Sequence, residues 1–386
     1  MIRKRKIEWY LALFALLTII LSWWIGKQAN NEDQSRILNG FFPEETYSVK
    51  PIDENVFKLT SGNNNLLNYL TISTGRGYGG PIQLLVHFDT SNTIKNIWII
   101  DSKETASYLR KVINNEYLIA FQNKSIQHFS KNKFSPDAIS GATKTCEGIK
   151  ESVIVSVKNL AKARQIPVLF PEDNTNITVG YKEVLVLLLF ILGILGRIKN
   201  FRYKKPITWI SLITGMIFLG FIVNQPITIT RINSLLMGYW PEWQNELYVY
   251  LLIFGIIIIL LTTGKNVYCN SICPFGAVQE LLAKTGKAGK IKFRYHGFQI
   301  WLQRSLAWAA ILMALIFREP SITEYEVYSS LFQFTSSAWL FILLAVVIIV
   351  SLIIYRPWCH YLCPINPVFG ILKLFRSKTL KLFNWK

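Results

Sequence analysis

An α+β domain outside the membrane, joined to an all-α bundle of six membrane spans, is the architecture this sequence predicts. Three observations carry it: uncharged apolar runs recur along the chain, strand-like segments fill the interval after the first run, and one cysteine motif occurs twice.

The 386 residues are 51% hydrophobic with a formal net charge of +19, a balance that suits either a basic soluble protein or a membrane protein. Distribution decides between them. Runs at Trp9–Ile25, Val184–Ile198, Ile207–Val223, Leu247–Thr263, Phe298–Phe317 and Ala338–Tyr355 each approach the roughly 20 residues needed to cross a bilayer. Lys and Arg gather in alternate flanks: residues 3–6, 197–205, 284–294, and Arg356 with the tail from Lys373. By the positive-inside rule those flanks are cytoplasmic. Both termini then lie inside and residues 27–180 outside, as in a multi-pass protein of the bacterial inner membrane. The basic excess follows topology, so nucleic acid is not an expected partner, whereas membrane lipid is.

In chain order, residues 1–27 form an anchor. Their apolar run is longer than a signal-peptide core, and no small-x-small cleavage site follows. Residues 28–44 are polar and read as a tether. Residues 45–170 form the extracytoplasmic domain, with strands expected at Asn68–Ser73, Ile82–Phe88 and Ile94–Ile100, the last two joined by a hairpin-length connection. A glycine-rich turn, Gly75 to Pro81, precedes the second strand. Residues 171–183 are a linker, and 184–386 form a five-span membrane domain.

Within the outer domain, Asp137-Ala138-Ile139-Ser140-Gly141-Ala142-Thr143 is a loop running into a helix. Ser, Gly and Thr supply turn and cap chemistry. Free amides at such a helix start stabilise a phosphate, and Gly141 and Ala142 leave room for one. For Ser-Gly-Ala-Thr by itself, an ordinary capped helix is the better account.

The longer pattern Asp-x-x-Ser-Gly-Ala-Thr resembles the flavinylation signal of bacterial FMN-binding domains. The resemblance implies FMN joined through its phosphate to Thr143 by a flavin transferase, with Asp137, Ser140, Gly141 and Ala142 forming the signal. Thr145 is the nearest competing hydroxyl. The segment Gly77-Tyr78-Gly79-Gly80-Pro81-Ile82, followed by Glu104-Thr105, is similar to segments that line the flavin ring in that family, implying roles for Tyr78, Gly79, Glu104 and Thr105. Ala106 and Ser107 depart from the family's usual Pro and Gly. His87 and His128 have no spacing that suggests a metal and read as structural.

Of five cysteines, Cys146 stands alone beside the flavin motif and reads as a small helix residue. The others form two matched pairs, Cys269/Cys273 and Cys359/Cys363, in aromatic-Cys-x-x-x-Cys-Pro contexts expected at cytoplasmic helix ends. A reducing compartment disfavours disulfides there. Cysteines four apart share a helix face. Four thiolates suit one iron–sulfur cluster, a tetrahedral zinc ion would take the same set, and packed inert thiols are the plainest alternative.

Together, the outer flavin motif, six spans and paired cysteine motifs resemble the NosR/NirI family, most closely its short PceC-like members. The resemblance implies FMN, an iron–sulfur cluster of the 4Fe–4S type on Cys269, Cys273, Cys359 and Cys363, and electron transfer rather than self-contained catalysis. Electrons would pass between a cytoplasmic-side cluster or the quinone pool and the outer FMN, serving a periplasmic reductase or its maturation. Implied partners are the flavin transferase, a quinone or cytoplasmic electron donor, and a periplasmic redox acceptor protein. A redox-sensing membrane regulator is the other class. His296, Gln299, Gln303 and Arg304 are candidates for facing a quinone headgroup. A bilayer core about 30 Å thick would separate inner cysteines from an outer flavin, so a quinone, a partner subunit or a shifted domain is expected to bridge them.

Overall fold

In a computed structural model, residues 2–29, 34–43, 47–61, 66–132, 134–168, 170, 179–198, 200–289, 296–322 and 325–382 are described. Helix α1 (Ile2–Ala29) leads to α2 (Gln34–Phe41) and a five-stranded antiparallel sheet in sequence order: β1 (Tyr47–Asp53), β2 (Val56–Ser61), β3 (Leu66–Arg76), β4 (Pro81–Asp89) and β5 (Ile94–Ser102). Helices α3 (Ala106–Asn114) and α4 (Thr143–Ala163) complete this unit.

Helix α4 crosses one sheet face. Ile149, Val153, Val157 and Leu160 meet Ile82, Leu84, Val86 and Phe88, all fully or almost fully buried. The opposite face is covered as well: Leu38 of α2 packs with Leu59, Leu70 and Leu85. Cover on both sides explains why β4 carries Leu84-Leu85-Val86 without a break, since a strand buried on both faces has no polar side to show. Helix and sheet touch closely at Gly148, where a Cβ would lie 2.8 Å from the Arg76 carbonyl carbon. Ser73 meets the Ser152 and Ser156 hydroxyls at 2.8 and 2.7 Å in the same seam. The segment expected to be a plain tether thus contains α2, held by Leu38. Strand β1 also lies before the expected first strand; it contains Pro51, and its second half is exposed, so it offers no apolar alternation to detect.

The remainder is helical: α5 (Tyr181–Leu195), α6 (Lys204–Gly215, continued by a π-helical stretch to Ile222), α7 (Ile229–Leu236), α8 (Leu247–Thr263), α9 (Pro274–Thr285), α10 (His296–Phe317), α11 (Tyr328–Phe332), α12 (Ala338–Ile353), α13 (Pro357–Tyr361) and α14 (Ile365–Leu382). Among the described residues, three helical stretches are long and apolar enough to cross a membrane, at Ile7–Ala29, Lys204–Ile222 and Gly297–Phe317. The other three expected runs form shorter helices of 15, 17 and 16 residues, namely α5, α8 and α12. Backbone breaks end two of them: Gly264 closes α8 at φ +70°, and Arg356, just beyond α12, takes φ +48°.

Beyond both breaks the chain turns back into the bundle, with Cys273 capping the start of α9 and Cys359 in the short α13. Ser211 donates to the Ser271 carbonyl at 2.8 Å, and Gln303 donates to the Cys359 carbonyl at 2.9 Å. Each donor sits seven residues into its helix, Lys204 to Ser211 in α6 and His296 to Gln303 in α10, a depth of about 10 Å at 1.5 Å per residue.

Candidate functional site

Thr143 is the first residue of α4, and its side chain is exposed. No side chain caps this helix end, which leaves its first amides to another acceptor. Gly141 takes φ +77°, and a Cβ there would approach the Lys111 ammonium nitrogen to 2.9 Å. A left-handed glycine, uncapped amides and a neighbouring cation make a cradle suited to a phosphate. Asp137 and Ser140 are exposed on the same loop, and Ala142 is buried beneath it. The residues present fit the phosphate end of FMN.

Thr145 lies two positions away and points inward, 1% exposed, donating to Glu104 Oε2 at 3.2 Å. Glu104 is itself 2% exposed. Its Oε2 accepts from the Tyr78 amide at 2.7 Å, and its Oε1 accepts from the Gly79 and Thr105 amides at 2.8 Å each. Burial pushes the Glu104 carboxyl upward, while these donors oppose the shift. Glu104 is therefore the post on which the Tyr78–Gly79 loop and the start of α3 are hung, and Thr145 helps to hold it. Cys146 is buried in the core and burial pushes its thiol up, which agrees with a structural cysteine.

The Tyr78–Gly79 loop faces the membrane domain, a relationship the sequence does not disclose. The Arg231 guanidinium of α7 lies 5.0 Å from the Tyr78 ring centre, and Ser234 donates to the Gly79 carbonyl. Lys144 pairs with Glu246 at 2.9 Å, Arg76 with Glu242 at 3.4 Å, and Ser321 donates to the Glu104 carbonyl at 3.4 Å.

All four paired cysteines line a single cavity of about 230 Å³. The spacing in each pair puts two thiols on it, and the second pair arrives by packing. Trp358 donates its amide to Gln279 Oε1 at 3.1 Å, and Gln279 Nε2 lies 3.4 Å from Cys359 Sγ. Among the described residues, no three His, Cys, Asp or Glu side chains are close enough together to hold a single metal ion. Four thiols around one shared cavity suit the shell of an iron–sulfur cluster.

Two of the candidate quinone-facing side chains, Gln303 and Arg304, have partners within the protein. Gln303 is committed to Cys359 and Asn366, whereas Arg304 lies 3.9 Å from Glu8 and 5.6 Å from the Trp301 ring. Gln299 is half-buried, and the His296 side chain lies outside the described residues.

With this geometry in place, comparison with known families assigns both halves. The FMN-binding domain model matches residues 77–158, and the 4Fe-4S binding domain model matches 247–296 and 336–382. The chain is 25% identical over 223 residues to protein NirI of Paracoccus denitrificans, covering 52% of this chain and 32% of that one. It is 26% identical over 227 residues to regulatory protein NosR of Pseudomonas aeruginosa, covering 52% and 30%. The chain is similar to NosR/NirI-type FMN-binding, 4Fe-4S-binding proteins. Regulatory protein NosR of Stutzerimonas stutzeri is 21% identical over 192 residues, 45% of this chain and 25% of that one. The chain spans about a third of the length of the curated relatives it matches first. No solved structure matches.

The two matched domains thus take FMN and an iron–sulfur cluster. The flavin-motif residues and the Tyr78, Gly79, Glu104 and Thr105 set fall inside the first matched segment, and the four cysteines fall inside the second. Thr228, Glu326 and Tyr328, which also line the cysteine cavity, fall in neither. Sequence reasoning passed over them because they lie in stretches that read as outer loops.

Proposed function

We propose that this protein is a membrane electron carrier that passes electrons between the four-cysteine cluster and FMN esterified to Thr143. One observation carries the reading: four thiols from two distant motifs face one cavity, in a chain that also presents an exposed flavin-motif threonine. The FMN domain, residues 45–170, lies outside a six-span bacterial inner-membrane protein with both termini in the cytoplasm. A cytoplasmic donor or the quinone pool supplies the electrons, and a periplasmic redox protein receives them. A covalent flavin suits that compartment because it cannot diffuse away.

The test is purification after co-expression with a flavin transferase. Flavin fluorescence should travel with the denatured polypeptide, and four iron and four sulfide should accompany each chain, as a 4Fe–4S cluster requires. Periplasmic extract should then rapidly reoxidise membrane-reduced flavin. A purified chain with neither flavin nor iron would sink the reading.

A second reading is supported by the name of the NosR relatives, which are regulatory proteins. A flavin redox sensor binds the same two groups but shows no transfer to any extract component.

A further inference from the structure

Between the flavin domain and the membrane domain lies a narrow gap of about 10 Å³, close to the space of one water. Tyr78, Thr105 and Tyr108 line it from the flavin side. Thr228, Thr230, Glu326, Tyr328 and Ser329 line it from the membrane side, so every lining residue carries a hydroxyl or a carboxylate. Thr228, Glu326 and Tyr328 also line the cysteine cavity. The two spaces are therefore separated by single side chains and not by a bilayer thickness.

Those three side chains are fixed in place. Thr228 Oγ1 accepts from the Arg231 amide at 3.2 Å, Glu326 Oε2 accepts from the Ile229 amide at 2.9 Å, and the Tyr328 hydroxyl donates to the Leu219 carbonyl at 2.8 Å. A group buried and bonded in this way holds its position without reorganisation when charge passes.

We propose that Thr228, Glu326 and Tyr328 form the partition across which the cysteine-held cluster and the FMN exchange electrons directly, with no quinone or partner subunit between them. The proposal rests on the carrier reading above. For each FMN reduced, two electrons cross singly from the cluster, a cytoplasmic one-electron donor protein restores the cluster each time, and two protons from water complete the reduced flavin. No covalent bond to the partition forms. Glu326 places a carboxylate on the cysteine cavity, and Tyr328 lines both that cavity and the gap; both are positioning residues.

The experiment uses the full chain loaded with both groups. Glu326→Gln removes a carboxylate from the cavity wall and should raise the cluster's midpoint potential, with iron content and in-gel flavin fluorescence unchanged. In stopped-flow reduction, the phase of flavin reduction that disappears in Cys269→Ser should slow severalfold in Tyr328→Ala. Trp243→Ala, an exposed position on the same outer segment, should leave both readings at wild-type values. If Tyr328→Ala loses iron, Thr228→Val is read in its place and should slow the same phase. An unchanged potential in Glu326→Gln together with an unchanged phase in the iron-loaded partition variants would overturn the proposal. A wild-type protein that holds both groups but shows no cluster-dependent phase would overturn the carrier reading as well.

Discussion

The Thr145 hydroxyl donates to the Glu104 carboxylate at 3.2 Å in the interior of the flavin domain, while Thr143, two residues earlier, stands exposed at the head of the same helix. The second hydroxyl is open to solvent and the first is not. Thr143→Ala should therefore abolish flavin fluorescence on denaturing gels without altering thermal stability. Thr145→Val should keep the fluorescence and lower stability by about 1–3 kcal/mol, the cost of removing one partner from a buried charged acceptor. Fluorescence that survives Thr143→Ala and disappears in Thr145→Val would reverse the assignment.

Which of these features were legible follows from the range over which each is encoded. Strands β4 and β5, the flavin loop and the two cysteine motifs are local patterns of a few residues, and the sequence shows them. Helix α2 hides in a polar stretch, where Leu38 is the one buried side chain among those described. The apolar runs of α8 and α12 are legible too: α8 has the bounds of its run, and α12 ends at Ile353, two residues before its run does. The cavity wall was invisible for a different reason: the Ile229 amide and Glu326 lie 97 residues apart, and no local pattern pairs two loops.

Lys144 links the flavin loop to the membrane domain. Its ammonium reaches Glu147 at 2.7 Å and Glu246 at 2.9 Å, and both carboxylates hold its pKa above the usual lysine value against the opposing effect of burial. Lys144→Glu should loosen the docking, at a cost of about 1–3 kcal/mol for leaving the nearly buried Glu246 carboxylate unpaired. The exchanged pair Lys144→Glu/Glu246→Lys should recover part of that loss. Hydrogen exchange of α7, which carries the Arg231 and Ser234 contacts to the flavin loop, reports the docking directly. Equal protection in all three proteins would show that the ion pair is incidental.

His87 gives the flavin domain a pH dependence. Its ring lies 6.1 Å from Trp98 at 16° and 6.1 Å from Phe42, and neither ring nitrogen has a hydrogen-bond partner among the described residues. Burial lowers its pKa below 6.5; nearby Asp89 raises it, and Lys95 lowers it further. The unfolded chain thus binds the proton more readily than the folded one. The contribution is complete above about 6.5 and is lost as pH falls from there toward the lowered folded value. Urea midpoints measured on either side of that window should drop on acidification in the wild type and change less in His87→Phe. An identical drop in both would assign the acid sensitivity to other groups.

Arg356 joins the two cysteine motifs. It is 7% exposed, its Nε reaches Glu280 Oε2 at 2.6 Å, and its Nη1 donates to the Cys269 carbonyl at 3.1 Å, although it sits three residues before Cys359. The guanidinium therefore sets the second motif against the first through two donors held in one plane, an arrangement that a lysine ammonium cannot reproduce. Arg356→Ala should lower iron and sulfide per chain while leaving in-gel flavin fluorescence intact, because the flavin loop lies in the other domain. Arg356→Lys keeps the charge and at most one of the two contacts, so its iron content should fall between wild type and alanine. If charge alone mattered, lysine would match the wild type; if only the packing of α9 mattered, lysine and alanine would be equally depleted. Iron and acid-labile sulfide assays on the three purified proteins separate those outcomes.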